Sequence, residues 1–135
     1  MGGGGHASVI ADILIQQGRN IIAIFCPENP KHHNNLFDLP YYSSDSSLID
    51  FDNKDFVIVN GIGHTPFSRL REEITNSTHT QHFLFDKVIS DHAYISTNAI
   101  LGEGVHIMPG AIIQAGAVIG DHSIIQSHVN ITGKT

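Results

Sequence analysis

A chain of 135 residues has room for one ordinary domain or two very small ones. Its 41% hydrophobic and 15% charged content is that of a folded globular chain rather than a disordered one. A net charge of -6 excludes the clustered basic footprint of a nucleic-acid binder, and no run of about twenty apolar residues is available to cross a membrane.

Met1 is followed by four glycines, Gly2 to Gly5, and then by His6 and Ala7. Val9, Ile10, Ile13 and Leu14 predict a helix with one apolar face, ended by Gly18 as a C-terminal cap. The glycine run has neither the basic nor the apolar region of a signal peptide, and the single Cys26 cannot form an internal disulfide. A reducing cytoplasm is therefore the expected compartment. Residues 20–26 (NIIAIFC) predict a buried strand, which Pro27 ends. A Gly-rich loop opening a helix that leads into a strand is half of a nucleotide-binding βαβ unit: the glycines allow close backbone approach, and the helix N-terminus offers N–H groups to a phosphate. Such a loop ordinarily hangs from a preceding strand, and the sequence opens at Met1, so the expectation is either a true start further upstream or a unit that lacks its first strand.

Residues 28–54 are polar and predict loop, with a short strand or turn at 39–42. His32 and His33 lie in this loop without Cys or carboxylate spacing, which favours solvated side chains over metal ligands. Residues 55–60 (DFVIVN) predict a second buried strand, delivering the chain into Gly61, Ile62, Gly63 and His64. Thr65 as N-cap and Pro66 at the first helical position predict a helix through Phe67, Leu70, Arg71 and Ile74 to about Asn76. Arg69 and Arg71 stand close enough to this turn to meet a phosphate, although exposed helix charge is the commoner role. Residues 81–85 (QHFLF) predict a last strand, and the boundary between two domains, 1–85 and 86–135, falls there.

Beyond it one apolar residue recurs every six positions: Ile89, Ile95, Leu101, Ile107, Ile113, Ile119, Ile125 and Ile131. Two residues before each member after Ile89 sits a short side chain: Ala93, Ala99, Val105, Ala111, Ala117, Ser123 and Val129. Gly104, Gly110 and Gly116 fall in the turns. Neither the helical period of 3.6 nor the strand period of 2 produces this register. A hexapeptide repeat does, with three short strands and three turns making one triangular coil of a parallel β-helix. The fold class read from the sequence is thus α/β plus all-β, a small α/β domain lacking its first strand followed by a parallel β-helix.

GGGGHA opening a helix, the run IIAIF, NGIG before a helix with Arg69, the junction VISDHAYIS and the repeat ILGEGVHIMPGAIIQAGAVIGDHSII together resemble one family. It is that of the sugar O- and N-acetyltransferases typified by sialic acid O-acetyltransferase and the bacterial UDP-4-amino-sugar N-acetyltransferases. The resemblance implies a small Rossmann-like N-terminal domain that binds a UDP-sugar type of substrate, a left-handed parallel β-helix that forms a homotrimer, and acetyl-CoA as co-substrate in the groove between neighbouring β-helices. By position it assigns Gly4, Gly5 and His6 to the substrate loop, Gly61 and Gly63 to a second glycine turn, and Glu28 to what remains of an acidic pair whose other member is Pro27 here. In that family a histidine with an acidic neighbour, after the repeat run, serves as general base. The stretch IIQSHVNITGKT places Gly133 and Lys134 at those positions, and His128 is the nearest substitute. The sequence therefore leads to two expectations: an acetyltransferase weakened in its chemistry and shortened at both ends, or a non-catalytic, oligomerising, sugar-nucleotide-binding remnant.

Overall fold

In the computed structural model the described residues are 5–26, 39–43, 51, 54–64, 68–79 and 82–133. The chain forms two compact units, Met1–Phe85 and Asp86–Thr135. Gly4, Pro27, Glu28, His32, His33, Thr65, Pro66, Phe67 and Lys134 lie outside the described residues.

The first unit is a small Rossmann-like α/β layer. Helix α1 (Gly5–Gln16) buries Ala7, Ile10, Ala11, Ile13 and Leu14. The stripe 7, 10, 11, 14 follows the i, i+3, i+4, i+7 spacing of one helical face. Val9, expected on that face, lies off the stripe and is 46% exposed. Gly18 takes a positive φ of 71°. Its N–H donates to the Ile15 carbonyl at 3.0 Å while the Arg19 N–H donates to Leu14 at 2.9 Å. This paired C-terminal cap needs a left-handed residue, which glycine supplies without a Cβ clash.

Strand β1 (Ile24–Phe25) pairs in parallel with β2 (Tyr41–Tyr42), Ile24 opposite Tyr41. The seven-residue strand expected at 20–26 contracts to these two, because the ladder extends only where a neighbour exists. The bonds that form run from Ile24 N–H to Pro40 O (2.8 Å) and from Cys26 N–H to Tyr42 O (3.0 Å). The 55–60 run likewise makes a single parallel bridge, Ile58 to Phe85. Phe83 and Phe85 point inward and Leu84 outward, the alternation of a half-buried strand. An aromatic cluster that the sequence reading missed joins these pieces. Phe25 stacks on Tyr42 at 5.1 Å, and Phe51 sits edge-on to Phe25, Tyr42 and Phe56 at 5.3–5.7 Å. Phe51 had been hidden in a polar stretch. Helix α2 (Leu70–His79) begins where the Ser68 hydroxyl accepts the Leu70 N–H (3.3 Å), and it runs three residues past the expected end at Asn76.

The second unit is the left-handed parallel β-helix. Its strands are β3 (Val88–Ile89), β4 (Tyr94–Ile95), β5 (Ile100–Leu101), β6 (His106–Ile107), β7 (Ile112–Ile113), β8 (Val118–Ile119), β9 (Ile124–Ile125) and β10 (Asn130–Ile131). They stack on three faces, β3-β6-β9, β4-β7-β10 and β5-β8, every pairing parallel. Each aliphatic residue lies opposite the one three hexapeptides later, so Ile89 faces Ile107 and Ile107 faces Ile125. Ile107, Ile113, Ile119 and Ile125 form one buried core with Val105, Ala111 and Ala117. The outer members Ile89, Ile95, Leu101 and Ile131 pack against it but stay partly exposed, since an end layer has a neighbour on one side only. The turns carry positive φ at Gly104, Gly110 and Gly116, and the same six-residue series continues at His122 (60°) and His128 (63°). At Gly102 the chain of the next coil comes too close for any side chain: a Cβ there would lie 2.6 Å from the Asp121 backbone nitrogen. Among the described residues no helix is long and apolar enough to cross a membrane.

Candidate functional site

The N-terminal unit brings three of the expected residues together. The 55–60 run ends in Asn60, which is only 2% exposed and ties the turn after it to α2. Its Oδ1 accepts the Ile62 N–H (3.1 Å), and its Nδ2 donates to the Thr75 hydroxyl (3.1 Å) and the Arg71 carbonyl (3.2 Å). From the other side Arg71 Nη1 donates to the carbonyls of Asn60 (2.9 Å) and Ile62 (2.6 Å). The turn at 60–63 is thus held by an amide and a guanidinium at once. Gly63 then lies against the first turn of α1, where a Cβ would sit 3.2 Å from His6 Cβ. Glycine is what lets these two segments approach. The space around Gly5, by contrast, is open.

Electrostatically the place is positive. The first N–H groups of a helix have no intrahelical acceptor and carry about half a unit of positive charge, and α1 has no acidic residue in its first turn to offset them. Burial, and then the charge of Arg71, hold His6 below its ordinary value. Burial also lowers Arg71. Arg69, the other expected phosphate partner, points away: it makes two 3.1 Å hydrogen bonds to Glu72 on the exposed face of α2. Asn60 was not singled out by sequence reasoning. Its signal was a polar residue closing an apolar run one step before Gly-x-Gly. Among the described residues no group of three or more His, Cys, Asp or Glu is gathered for a metal ion.

A pH effect follows from His6. Its folded value lies below the unfolded one of about 6.5, so the fold prefers neutral imidazole and the unfolded chain binds the proton more readily. Stability from this group is complete above about pH 6.5 and is lost as pH falls below it. Urea unfolding at pH 7.5 and pH 5 should show a smaller acid loss for His6→Asn than for the parent chain. Equal losses would show that His6 is not held neutral.

In the β-helix, His128 and Gly133 are separate features. The His128 side chain is exposed, and its ring crosses the turn one coil earlier, where a Cβ on Gly110 would lie 2.8 Å from Cε1 and Nδ1. Gly133 has a φ of 77°, and its carbonyl accepts the Val118 N–H at 3.1 Å. It offers backbone and nothing else, so no proton acceptor of side-chain type stands there. A left-handed residue other than glycine costs about 1–2 kcal/mol, part of which glycine's greater freedom in the unfolded chain takes back. His128→Gly should therefore raise the stability of the β-helix by about 0.5–1 kcal/mol in a thermal melt, whereas a loss would mean that the imidazole makes a contact worth more than the strain.

A parallel β-helix of hexapeptide repeats behind a small Rossmann-like unit is the architecture of sugar N-acetyltransferases. More narrowly, residues 1–78 match the PglD N-terminal domain, and the chain belongs to that family. Residues 98–133 match the bacterial transferase hexapeptide (six repeats). Among solved structures, a His-to-Asn variant of perosamine N-acetyltransferase from Caulobacter crescentus, in complex with CoA and GDP-perosamine, is 28% identical with a TM-score of 0.82 over 96% of this chain. PerB from Caulobacter crescentus, also in complex with CoA and GDP-perosamine, is 29% identical with a TM-score of 0.81 over 96%. The acetyltransferase domain of PglB from Neisseria gonorrhoeae FA1090, in complex with acetyl coenzyme A, is 25% identical with a TM-score of 0.79 over 98%. The chain spans 60% of the length of the first two and 62% of the third. No curated protein sequence matches the chain.

Proposed function

We propose that the chain is a cytoplasmic sugar acetyltransferase of the acetyl-CoA-dependent kind, acting on an amino sugar linked to a nucleoside diphosphate. The observation that carries this reading is the convergence of the α1 N-terminus, His6, Gly63 and the Arg71-clamped turn, in a chain of this family. Two backbone turns and a helix end that lack side-chain bulk, next to a held positive charge, suit a diphosphate. Gly4, Gly5, His6, Glu28, Gly61 and Gly63 are the assigned substrate-binding residues. The nucleoside is uridine by the family resemblance, whereas the Caulobacter crescentus structures carry GDP-perosamine, so both belong in the test. The β-helix supplies the trimer. Its outward residues Tyr94 and Ile100 are large, apolar and exposed, which suits burial against further copies, and light scattering on the pure chain should report three. A monomer at working concentration would reject that assembly.

Acetyl transfer by these 135 residues is expected to be weak. A positioned general base contributes about a hundred- to ten-thousand-fold in rate, and Gly133 stands at the position the family resemblance gives to that base. The deciding experiment is calorimetry with UDP- and GDP-amino sugars, followed by release of free thiol from acetyl-CoA. Binding heat with turnover at least about a hundredfold below that of an active relative is the expected pair. Turnover that disappears in His128→Ala would overturn the weak-activity reading and make His128 the base, and no heat with any sugar nucleotide would remove the substrate class.

A further inference from the structure

Two peptide planes of the 60–63 turn have a fixed direction. Arg71 Nη1 takes up the carbonyls of Asn60 and Ile62. In a planar trans peptide the N–H points opposite to the carbonyl. The N–H groups of Gly61 and Gly63, which share those two planes, therefore both point away from the guanidinium. Neither has an acceptor among the described residues. The N–H between them, that of Ile62, is taken by Asn60 Oδ1 at 3.1 Å. Chemistry forces the orientation of that amide. The Arg71 carbonyl only accepts, so the Asn60 atom 3.2 Å from it has to be the nitrogen; the Ile62 N–H only donates, so the atom facing it has to be the oxygen. Thr75 adds a third constraint. It is 7% exposed, and its hydroxyl donates to the Arg71 carbonyl at 2.9 Å, which leaves only lone pairs to meet Asn60 Nδ2 at 3.1 Å.

We propose, resting on the sugar-nucleotide reading above, that Asn60 and Thr75 are positioning residues: they hold the turn in the arrangement that leaves the Gly61 and Gly63 N–H groups as a pair of donors for two oxygens of the diphosphate. Oriented backbone N–H groups in a turn make an anion-binding concavity. A turn free to rotate its peptide planes would present carbonyls in their place, and a carbonyl repels phosphate. By consuming the Ile62 N–H, Asn60 locks the plane between the two donors, and Thr75 keeps Asn60 from turning over. Thr78 separates this role from burial as such. It lies in the same helix, is 0% exposed, and its hydroxyl has no partner among the described residues.

The test is amide NMR and calorimetry on the full chain, with UDP and GDP as the probes. In the parent chain the Gly61 and Gly63 amide signals should move as nucleotide is added while that of Ile62 stays, because its one hydrogen is already bonded. Binding that leaves the two glycine signals still would overturn the proposal without any variant. Thr75→Val removes the hydroxyl at nearly constant shape. At a temperature where the chain is folded it should raise the Kd at least about tenfold and speed Ile62 amide exchange by a similar factor. Thr75→Ser keeps the hydroxyl and should restore both, and Thr78→Val should leave both as in the parent. A Thr75→Val chain that melts lower but binds and exchanges like the parent would show that Thr75 only packs, and would remove the positioning role alone. A parent chain that gives no heat with either nucleotide would remove the sugar-nucleotide reading and the positioning role together.

Discussion

Ile113→Asp is expected to unfold the β-helix at room temperature. Ile113 is 0% exposed and lies in the middle layer of its face, between Ile95 and Ile131. The substitution forfeits the burial of one aliphatic side chain, about 1.5–3 kcal/mol. It also puts a carboxylate where every neighbour is aliphatic, and an unpaired buried charge adds several kcal/mol or forces protonation. A unit of this size has only about 5 kcal/mol or less to lose, so the sum exceeds its stability. Circular dichroism should report loss of the β signal from Asp86–Thr135. The neighbour Ile112 is the control: it points outward, is 38% exposed, and should tolerate Thr with little change in melting temperature. Retention of the melt in Ile113→Asp would mean that the six-residue register does not point inward.

The same register explains why the β-helix was legible in the sequence. Every coil places the same chemistry at the same step, so eight aliphatic positions from Ile89 to Ile131 speak with one period, and the glycines at 104, 110 and 116 mark the turns. The turn series then continues through His122 and His128, where the residue type no longer shows it. His128, named from the sequence as a possible base, thus stands at a left-handed turn position of this series. In the N-terminal unit the elements were legible but their limits were not. Strand lengths there depend on which edge finds a partner, as at residues 20–26, and no local pattern encodes that. The start of α2 was expected from Thr65 and Pro66, whereas the described helix begins with a Ser68 cap. The candidate site was half legible: Gly63 and His6 came from the glycine patterns, but nothing in spacing alone separated Arg71 from Arg69. One faces the turn and the other faces Glu72, a difference of two residues around a helix.

That difference gives the last expected result: Arg71→Met should loosen the 60–63 turn and weaken sugar-nucleotide binding, while Arg69→Met should do neither. Arg71 gives two charge-assisted hydrogen bonds, to the Asn60 and Ile62 carbonyls. Bonds of this kind contribute about 1.5–3 kcal/mol each, so a loss of about 3 kcal/mol in the N-terminal unit is expected after partial rescue by water. The Arg69 pair with Glu72 is exposed, and an exposed pair of that kind adds little. A second reading comes from His6, which is lowered first by burial and then by the charge of Arg71. Removing that charge should move His6 part of the way back toward its ordinary value, whereas Arg71→Lys should keep it low, because the charge survives. The measurement is the imidazole proton shift of His6 against pH in the parent, Met and Lys chains. If His6 titrates identically in all three, Arg71 and His6 do not share one electrostatic site, and the diphosphate reading loses its positive centre. If Met alone moves it upward while binding falls by at least about tenfold, the clamp that shapes the turn is also the charge that the substrate meets.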